Sequence, residues 1–467
     1  MEPVSIKNIL RGYIEINSTV IVQGWIRTKR NSKIGISFIV INDGSCLRNL
    51  QIIANTSLKN YTKDILLLTT GCAIKVFGNL KISPNNNQKY EIQAIEIKIL
   101  GWIDNPKKYP ISSKYHTTEY LREHLHLRPR TNLFSSITRI RHIVAQSIHK
   151  FMHKKGFYWI ATPLITSIDT EGFSKMFCVS TLEVVHLSQK KNYGIKKFSK
   201  DFFGKKTFLT VSGQLAGESY ACSLSKIYTF GPTFRAEHSN TRRHLSEFWM
   251  IEPEMAFATL NDIIELAKKL LQYIAKEIVI HAKDDIQFLF VNKHAKVHIY
   301  LHQLICEDFV HISYTEAINV LKKSQENFNN KILWGMNLNF EHECYLTEKY
   351  YNKPVIITDY PKDIKAFYMR CNNDLKTVAA MDILVPGIGE IIGGGQREER
   401  LDKLDKSLKN MGLEKNTYQW YRELRKYGTV PHSGFGLGLE RLIMYVTGVK
   451  NIRDVIPFPR TFHNADF

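Results

Sequence analysis

Arg235, Arg243, His244 and Phe248 sit on or beside two segments, IYTFGPTFRAE (227–237) and EFWMIEPEMAF (247–257), joined by the polar stretch HSNTRRHLS (238–246). Their β-branched and aromatic content predicts two strands, hence an antiparallel hairpin with a long cationic loop. A guanidinium at a strand end, as Arg235 would be, can fork onto a phosphate and onto a carboxylate attacking it. The loop cations Arg243 and His244 can hold further phosphates, and the Phe248 ring offers a face to a base. Taken alone, the hairpin reads first as a solvated charged loop.

Two more stretches have types suited to the same ligand. GFGLGLER (434–441) alternates glycines before Glu440-Arg441, and it lacks the Lys-Ser/Thr that completes a phosphate-binding P-loop. Glycines on a strand instead let another layer approach closely, and Arg441 would open a helix beside the pocket, free to stack on a base opposite Phe248. Asp382 and Glu390 flank VPGIG, ahead of GGGQREER (393–400). Two carboxylates near phosphate are natural Mg2+ ligands, because that ion takes oxygen donors and shares its shell with phosphates. A purely structural pair is the alternative.

The chain that must position these residues has 467 residues, 44% of them hydrophobic, and a net charge of +20. That length suits two to three domains. The charge suits a polyanionic partner such as nucleic acid, although a composition crowded with Lys, Ile and Asn explains it as well. No run approaches a membrane span and the start, MEPVSIKNIL, has no signal-peptide layout, so the chain reads as soluble and cytoplasmic, with no membrane partner. Seven cysteines, at 46, 72, 178, 222, 306, 344 and 371, form no CxxC pair. The expectation is reduced, mostly buried thiols with no zinc and no disulfide.

Residues 1–102 contain five predicted strands, at 20–27, 36–41, 50–54, 73–80 and 89–99, with Asn42-Asp43-Gly44-Ser45 and Ser83-Pro84-Asn85-Asn86 as turns. They suggest a small Greek-key barrel, either of the oligonucleotide-binding (OB) type or a generic one. Residues 103–130, with Pro106, Pro110 and Pro129, read as a linker. An amphipathic helix follows, with Phe134, Ile137, Ile140, Val144, Ile148 and Phe151 on one face and Gly156 placed to end it. Strands and helices then mix to residue 467, giving a 131–467 domain. Lys190 to Lys206 reads as an exposed basic loop.

Taken together, the hairpin, the glycine string and the acidic pair resemble the motifs of class II aminoacyl-tRNA synthetases. FYWIATPLIT (157–166) resembles the remaining motif, with Pro163 at the family's homodimer interface. The resemblance implies an α+β fold: an N-terminal five-stranded OB barrel and a catalytic domain built on an antiparallel sheet flanked by helices. GWIRTKR (24–30), Phe38 and Gln51 resemble the anticodon-binding barrel of the aspartyl, asparaginyl and lysyl subgroup, with Phe38 stacking on a base and Arg30 and Gln51 bonding nearby. A core role for Phe38 is the alternative.

Across the chain, LRPRTNL (127–133), FLTVSGQL (208–215), YPKDIKAFYMR (360–370) and TVAAMD (377–382) are similar to bacterial asparaginyl-tRNA synthetases. That family implies ATP and Mg2+ as cofactors and L-asparagine and tRNA(Asn) as partners. Arg235 would sit at the α-phosphate and Glu237 at the adenine edge. Arg441, Arg243, His244 and Mg2+ on Asp382 and Glu390 would hold the outer phosphates. Glu171 and Gln214 would hold the substrate α-amino group. SGQLAGES (212–219) has no lysine where aspartyl enzymes carry one and offers Glu218, which accepts from a carboxamide and repels a carboxylate, while Arg397 can donate to the amide oxygen. His238, Arg242, Ala216, and Phe173 and Lys175 within EGFSKMF (171–177), depart from the family pattern and put loop closure in doubt. Aspartate as substrate, and a non-catalytic RNA-binding relative, are the two rival readings.

Overall fold

The structure is a computed structural model describing residues 2–84, 88–112, 114–172, 175–182, 195–239, 241–291 and 296–466. Asn85 and Asn86 of the second barrel turn, Phe173, and the start of the Lys190–Lys206 stretch lie outside the described residues; Ile195–Lys200 forms a 3-10 helix. The chain divides into two compact units, Met1–Thr138 with Phe467, and Arg139–Asp466.

In the first unit, β1 (Thr19–Asn31), β2 (Ile36–Asn42), β3 (Leu50–Asn55), β4 (Ala73–Ile82) and β5 (Tyr90–Gly101) close a barrel in the order β1-β2-β3-β5-β4. Alternate residues point inward, so Val20, Val22, Ile39, Ile41, Ile52, Ile74 and Val76 fill the core. Residues 103–130, expected as a linker, carry a short helix (Thr118–Arg122), and their Ile111 and Leu121 cluster with Phe134 of the following helix, whose ring centroid lies 4.2 Å from the Arg128 guanidinium.

The Asn132–Lys154 helix buries the predicted stripe from Phe134 to Phe151. Its end is set by Gly156 at φ +79°, where Gly156 N–H donates to His153 O and Phe157 N–H to Met152 O, both at 3.0 Å, the paired bonds of a Schellman stop. Beyond it come β6 (Tyr158–Trp159), a small sheet of β7 (Ile165–Thr166), β8 (Cys178–Val179) and β9 (Thr207–Leu209), and the hairpin β10 (Lys226–Phe234) and β11 (Glu247–Ala256). The remaining strands are β12 (Val310–Ser313), β13 (Val355–Pro361), β14 (Thr377–Val385), β15 (Gly389–Gln396) and β16 (His432–Gly438). Eight of these form the central sheet, in the order β12-β13-β14-β15-β16-β11-β10-β6. It is antiparallel except at its two edges, where β12 runs parallel to β13 and β6 to β10.

The cysteine expectation needs correcting. All seven are free, but only Cys72 is buried, and Cys178, Cys222 and Cys306 are exposed. Cys72 alone falls on the barrel core; Cys178 opens a rim strand and Cys306 ends a helix.

Candidate active site

One face of the central sheet collects the predicted residues. Glu254 on β11 pairs with Gly434, and Gly434 and Gly436 on β16 pair with Gly395 and Gly393 on β15. Cross-strand partners share a face, so these glycines form a floor without side chains. A Cβ on Gly434 would overlap the Glu254 carboxylate. Asp382 on β14 pairs with Gly393 and points the same way. Glu390, three residues before Gly393, would face away in a regular strand. A register shift between Ile383 and Leu384 pairs Glu390 with Leu384 instead, and this bulge turns its carboxylate to the Asp382 side.

Both acids meet over the glycine floor. A Cβ on Gly393 would lie 2.8 Å from Glu390 Oε1 and 3.3 Å from Asp382 Oδ1. Lys365 Nζ reaches both Asp382 oxygens, at 2.8 and 2.6 Å. Burial pushes the Asp382 carboxyl up, and Glu390 adds to it. Burial pushes Glu390 the same way, but Arg441, Lys365, Arg235 and Arg243 outweigh it and hold Glu390 below its ordinary value. Arg235 and Arg441 therefore act on one carboxylate. Arg441 Nη1 donates to Glu390 O at 2.9 Å.

The hairpin supplies the cations. Arg235 directly follows β10, its guanidinium 5.6 Å from the Phe248 ring centroid and its Nη2 2.8 Å from Glu171 Oε1. Arg243 lies 4.0 Å over the Phe340 ring and donates to Ile388 O. Arg235 Nε and Arg243 Nε are buried with no hydrogen-bond partner among the described residues. His244 is held by the Thr241 and Ser239 hydroxyls, and burial, then Arg441, pushes its pKa down. Glu237 is exposed and acts electrostatically on both Arg235 and His244.

Gln214, Glu218 and Arg397, the residues expected to bind the amino acid, gather near Glu254. Glu252 accepts from Gly213 N–H at 2.9 Å and Thr229 Oγ1 at 2.7 Å, pinning the start of the Gln214–Leu224 helix. Gln214 and Glu218, one turn apart, are bonded through Nε2 and Oε1 at 3.0 Å. Glu218 is fully enclosed and Arg397 is 2% exposed. Arg397 gives Nε and Nη2 to Glu254, and its Nη1 donates to the Met369 sulfur at 3.9 Å. In the first unit, Arg30 pairs with Phe38 and Gln51 with Val40, so Arg30, Phe38 and Gln51 share one outer barrel face. The Phe38 ring is outside the core and lies under Arg30 at 5.2 Å.

Residues 117–462 match the family described as tRNA synthetases class II (D, K and N), and residues 20–100 match the OB-fold nucleic acid binding domain. The chain is 57% identical over 467 residues to the asparagine–tRNA ligase of Serratia proteamaculans, covering all of both chains. It is 58% identical over 463 residues to that of Histophilus somni, covering 99% of each. The chain belongs to the asparagine–tRNA ligase family of class II synthetases. Its synthetase fold also matches the asparaginyl-tRNA synthetase of Pyrococcus horikoshii complexed with asparaginyl-adenylate, at 29% identity and a TM-score of 0.85, covering 99% of this chain and 98% of that one.

Several residues of the synthetase site carried no signal of their own in the sequence. Lys365 lies inside YPKDIKAFYMR, with nothing in its spacing to tie it to Asp382. Glu343 accepts from Glu390 N–H at 3.2 Å and lies 3.8 Å from Arg243 Nη2, and burial, then Glu390, pushes it up to about 7. Tyr421, Arg425 and His432 surround Glu218. Three of the residues that depart from the family pattern have local partners: His238 stacks on Phe462 at 4.7 Å, Arg242 O accepts from Ile452 N–H at 2.9 Å and Lys175 O from Ala236 N–H at 2.8 Å. Among the described residues no helix is long and apolar enough to cross a membrane.

Proposed function

We propose that this synthetase joins L-asparagine to ATP as asparaginyl-adenylate, releasing pyrophosphate, and then passes the asparaginyl group to tRNA(Asn), releasing AMP. The observation that carries this reading is that Arg441, Lys365, Arg235 and Arg243 all act on the Glu390 carboxylate, while Arg235 Nε and Arg243 Nε are buried without a hydrogen-bond partner among the described residues. Unpaired buried donors are costly, and phosphate oxygens are the acceptors that satisfy several guanidinium groups at once.

In the first step the substrate carboxylate attacks the α-phosphate in line and pyrophosphate leaves. Arg235 stabilises charge growing at the α-phosphate, while Arg243, His244 and Arg441 hold the outer phosphates. Phe248 and Arg441 offer faces to adenine, and Glu237 its edge. Asp382 and Glu390, converging over Gly393, fit Mg2+, which when bound would neutralise and orient the phosphates. Glu171 and Gln214 receive the α-ammonium, Glu218 the carboxamide nitrogen and Arg397 Nη1 its oxygen. The terminal ribose hydroxyl of the tRNA then attacks the adenylate carbonyl. Positioning and electrostatics do the work, with no protein nucleophile.

Phe38, Arg30 and Gln51 are assigned to the anticodon, supported by their shared barrel face. A homodimer built around Pro163 is supported by the exposed residues of the edge strand, Tyr158 and Trp159 at 60% and 55% exposed. The reaction belongs in the cytoplasm, the compartment that holds tRNA and ATP. Pyrophosphate exchange with each amino acid tests the reading: asparagine supports exchange and aspartate does not, whereas equal rates overturn the specificity and no exchange with either overturns the activity.

A further inference from the structure

Glu218 is held unevenly. Its Oε2 faces three groups: Arg425 Nη2 at 2.9 Å, His432 Nε2 at 2.9 Å and the Tyr421 hydroxyl at 2.8 Å. Its Oε1 faces the Tyr421 hydroxyl at 2.9 Å and the neutral Gln214 amide at 3.0 Å, with Arg397 Nε farther off at 4.0 Å. Tyr421 and Arg425 come from one face of the Gln419–Lys426 helix, outside the stretches that carry the phosphate and carboxamide assignments. Arg425 also donates to Tyr421 OH at 2.8 Å and to Glu398 O at 2.9 Å, and its guanidinium lies 4.0 Å over the Tyr421 ring. The group is closed to water, with Glu218, Tyr421 and His432 each at most 1% exposed.

A carboxylate buried this deeply would take up a proton unless cations and donors compensate. Burial is the largest effect and works against the Glu218 charge, but Arg425, His432 and Arg397 together outweigh it and keep the carboxyl well below the ordinary range. Protonation matters for the choice of substrate. An ionised Glu218 accepts from a carboxamide and repels a carboxylate, whereas a protonated one donates to either.

We propose that Tyr421, Arg425 and His432 are positioning residues for amino-acid choice: they anchor Oε2 of Glu218, so that Oε1 is the oxygen that meets the substrate side chain. The proposal rests on the reading that Glu218 receives the carboxamide. The Gln214 amide nitrogen lies on Oε1 at 3.0 Å, the place of the asparagine amide nitrogen, and it gives way when substrate enters. Two amide nitrogens thus use one oxygen in turn, and Gln214 is released toward the α-ammonium.

The test is amino-acid-dependent pyrophosphate exchange by the full-length protein carrying Arg425→Gln, Arg425→Lys, Tyr421→Phe or Glu218→Gln. Circular dichroism and Tm select the folded variants. Tyr421→Phe, which removes one oxygen, keeps the test open where Arg425→Gln does not fold. Arg425→Gln and Tyr421→Phe are expected to raise KM for asparagine at least tenfold with KM for ATP unmoved. They should also lower the asparagine-to-aspartate ratio of kcat/KM at least tenfold, and Arg425→Lys should restore part of that ratio. Folded Arg425→Gln and Tyr421→Phe variants with an unchanged ratio overturn the proposal if Glu218→Gln still loses discrimination. If Glu218→Gln also discriminates normally, the carboxamide reading itself fails, and the proposal with it.

Discussion

Arg235 Nη2 and Glu171 Oε1 are 2.8 Å apart, although Arg235 follows the hairpin's first strand and Glu171 belongs to a loop 64 residues earlier. The two groups have complementary assignments, Arg235 to a carboxylate and phosphate and Glu171 to an α-ammonium. A zwitterionic amino acid entering between them exchanges one ion pair for two. In the proposed reaction the pair would mark the α-carbon end of the amino-acid site, as Glu218 would mark the side-chain end.

Replacing Arg235 should affect chemistry far more than stability. Both side chains are partly exposed, at 34% and 24%, and such pairs contribute about 0–1 kcal/mol. Removing an electrostatic stabiliser of a transition state costs roughly 10²–10³ in rate. Arg235→Gln is expected to lose exchange activity on that scale while its Tm stays close to that of the parent. A variant that exchanges at parental rate would remove Arg235 from the α-phosphate.

Asp382 and Glu390 share one metal position in this account. Asp382→Asn should raise the Mg2+ concentration needed for half-maximal exchange and leave KM for asparagine nearly unchanged. A Mg2+ titration at saturating ATP reads it directly, and an identical Mg2+ curve would return the pair to a structural role.

His244 gives a pH signature. Arg441, Arg243 and Arg235 surround it with Glu237 opposite, and burial first, then Arg441, lowers its pKa, so in the free protein it is mostly neutral at pH 7. Bound phosphates raise the pKa of a neighbouring imidazole. A group whose pKa rises on binding strengthens that binding as pH falls through the bound value, and the gain levels off below the free one. ATP affinity should therefore increase as pH drops through the imidazole range, and His244→Gln should flatten that slope. The same slope in both proteins would place His244 away from the phosphates.

The barrel can be tested apart from the chemistry. A base stacked on an aromatic contributes about 1–3 kcal/mol, so Phe38→Ala should weaken tRNA(Asn) binding roughly 5- to 150-fold. Asparagine-dependent exchange needs no tRNA and should not change. Parental tRNA affinity in Phe38→Ala would assign the anticodon to another face.

The glycine floor makes a stability prediction. Gly434→Ala drives a Cβ into the Glu254 carboxylate, and overpacking of this kind costs about 1–3 kcal/mol. Gly231→Ala, with nothing within 4 Å of its Cβ, should unfold in urea much like the parent. Equal midpoints for the two variants would mean that the sheet can give way at Gly434.

The barrel strands, the Phe134–Phe151 stripe and the 227–257 hairpin were legible because a side-chain period of two or about 3.6 is written locally. Gly156 was legible as a stop for the same reason. Glu390's orientation was not, because it depends on a bulge whose register is set by pairing with β14. Lys365, Tyr421 and Arg425 reach the site from elements far along the chain, and no local spacing encodes such a meeting. SGQLAGES shows Glu218 as an acceptor, but its enclosure by Tyr421, Arg425 and His432 arises only once the Gln419–Lys426 helix and β16 pack against it. Sequence-local rules found the groups that face the ligand and passed over those that hold them.

The most direct measurement of the central claim is calorimetric titration of the protein with two non-hydrolysable sulfamoyl analogues, one of asparaginyl-adenylate and one of aspartyl-adenylate. Tight binding of the asparaginyl analogue, with the aspartyl analogue weaker by roughly 10² or more, is the predicted result, since the second places a carboxylate against ionised Glu218. Equal affinity for the two, or no binding of either, would contradict it.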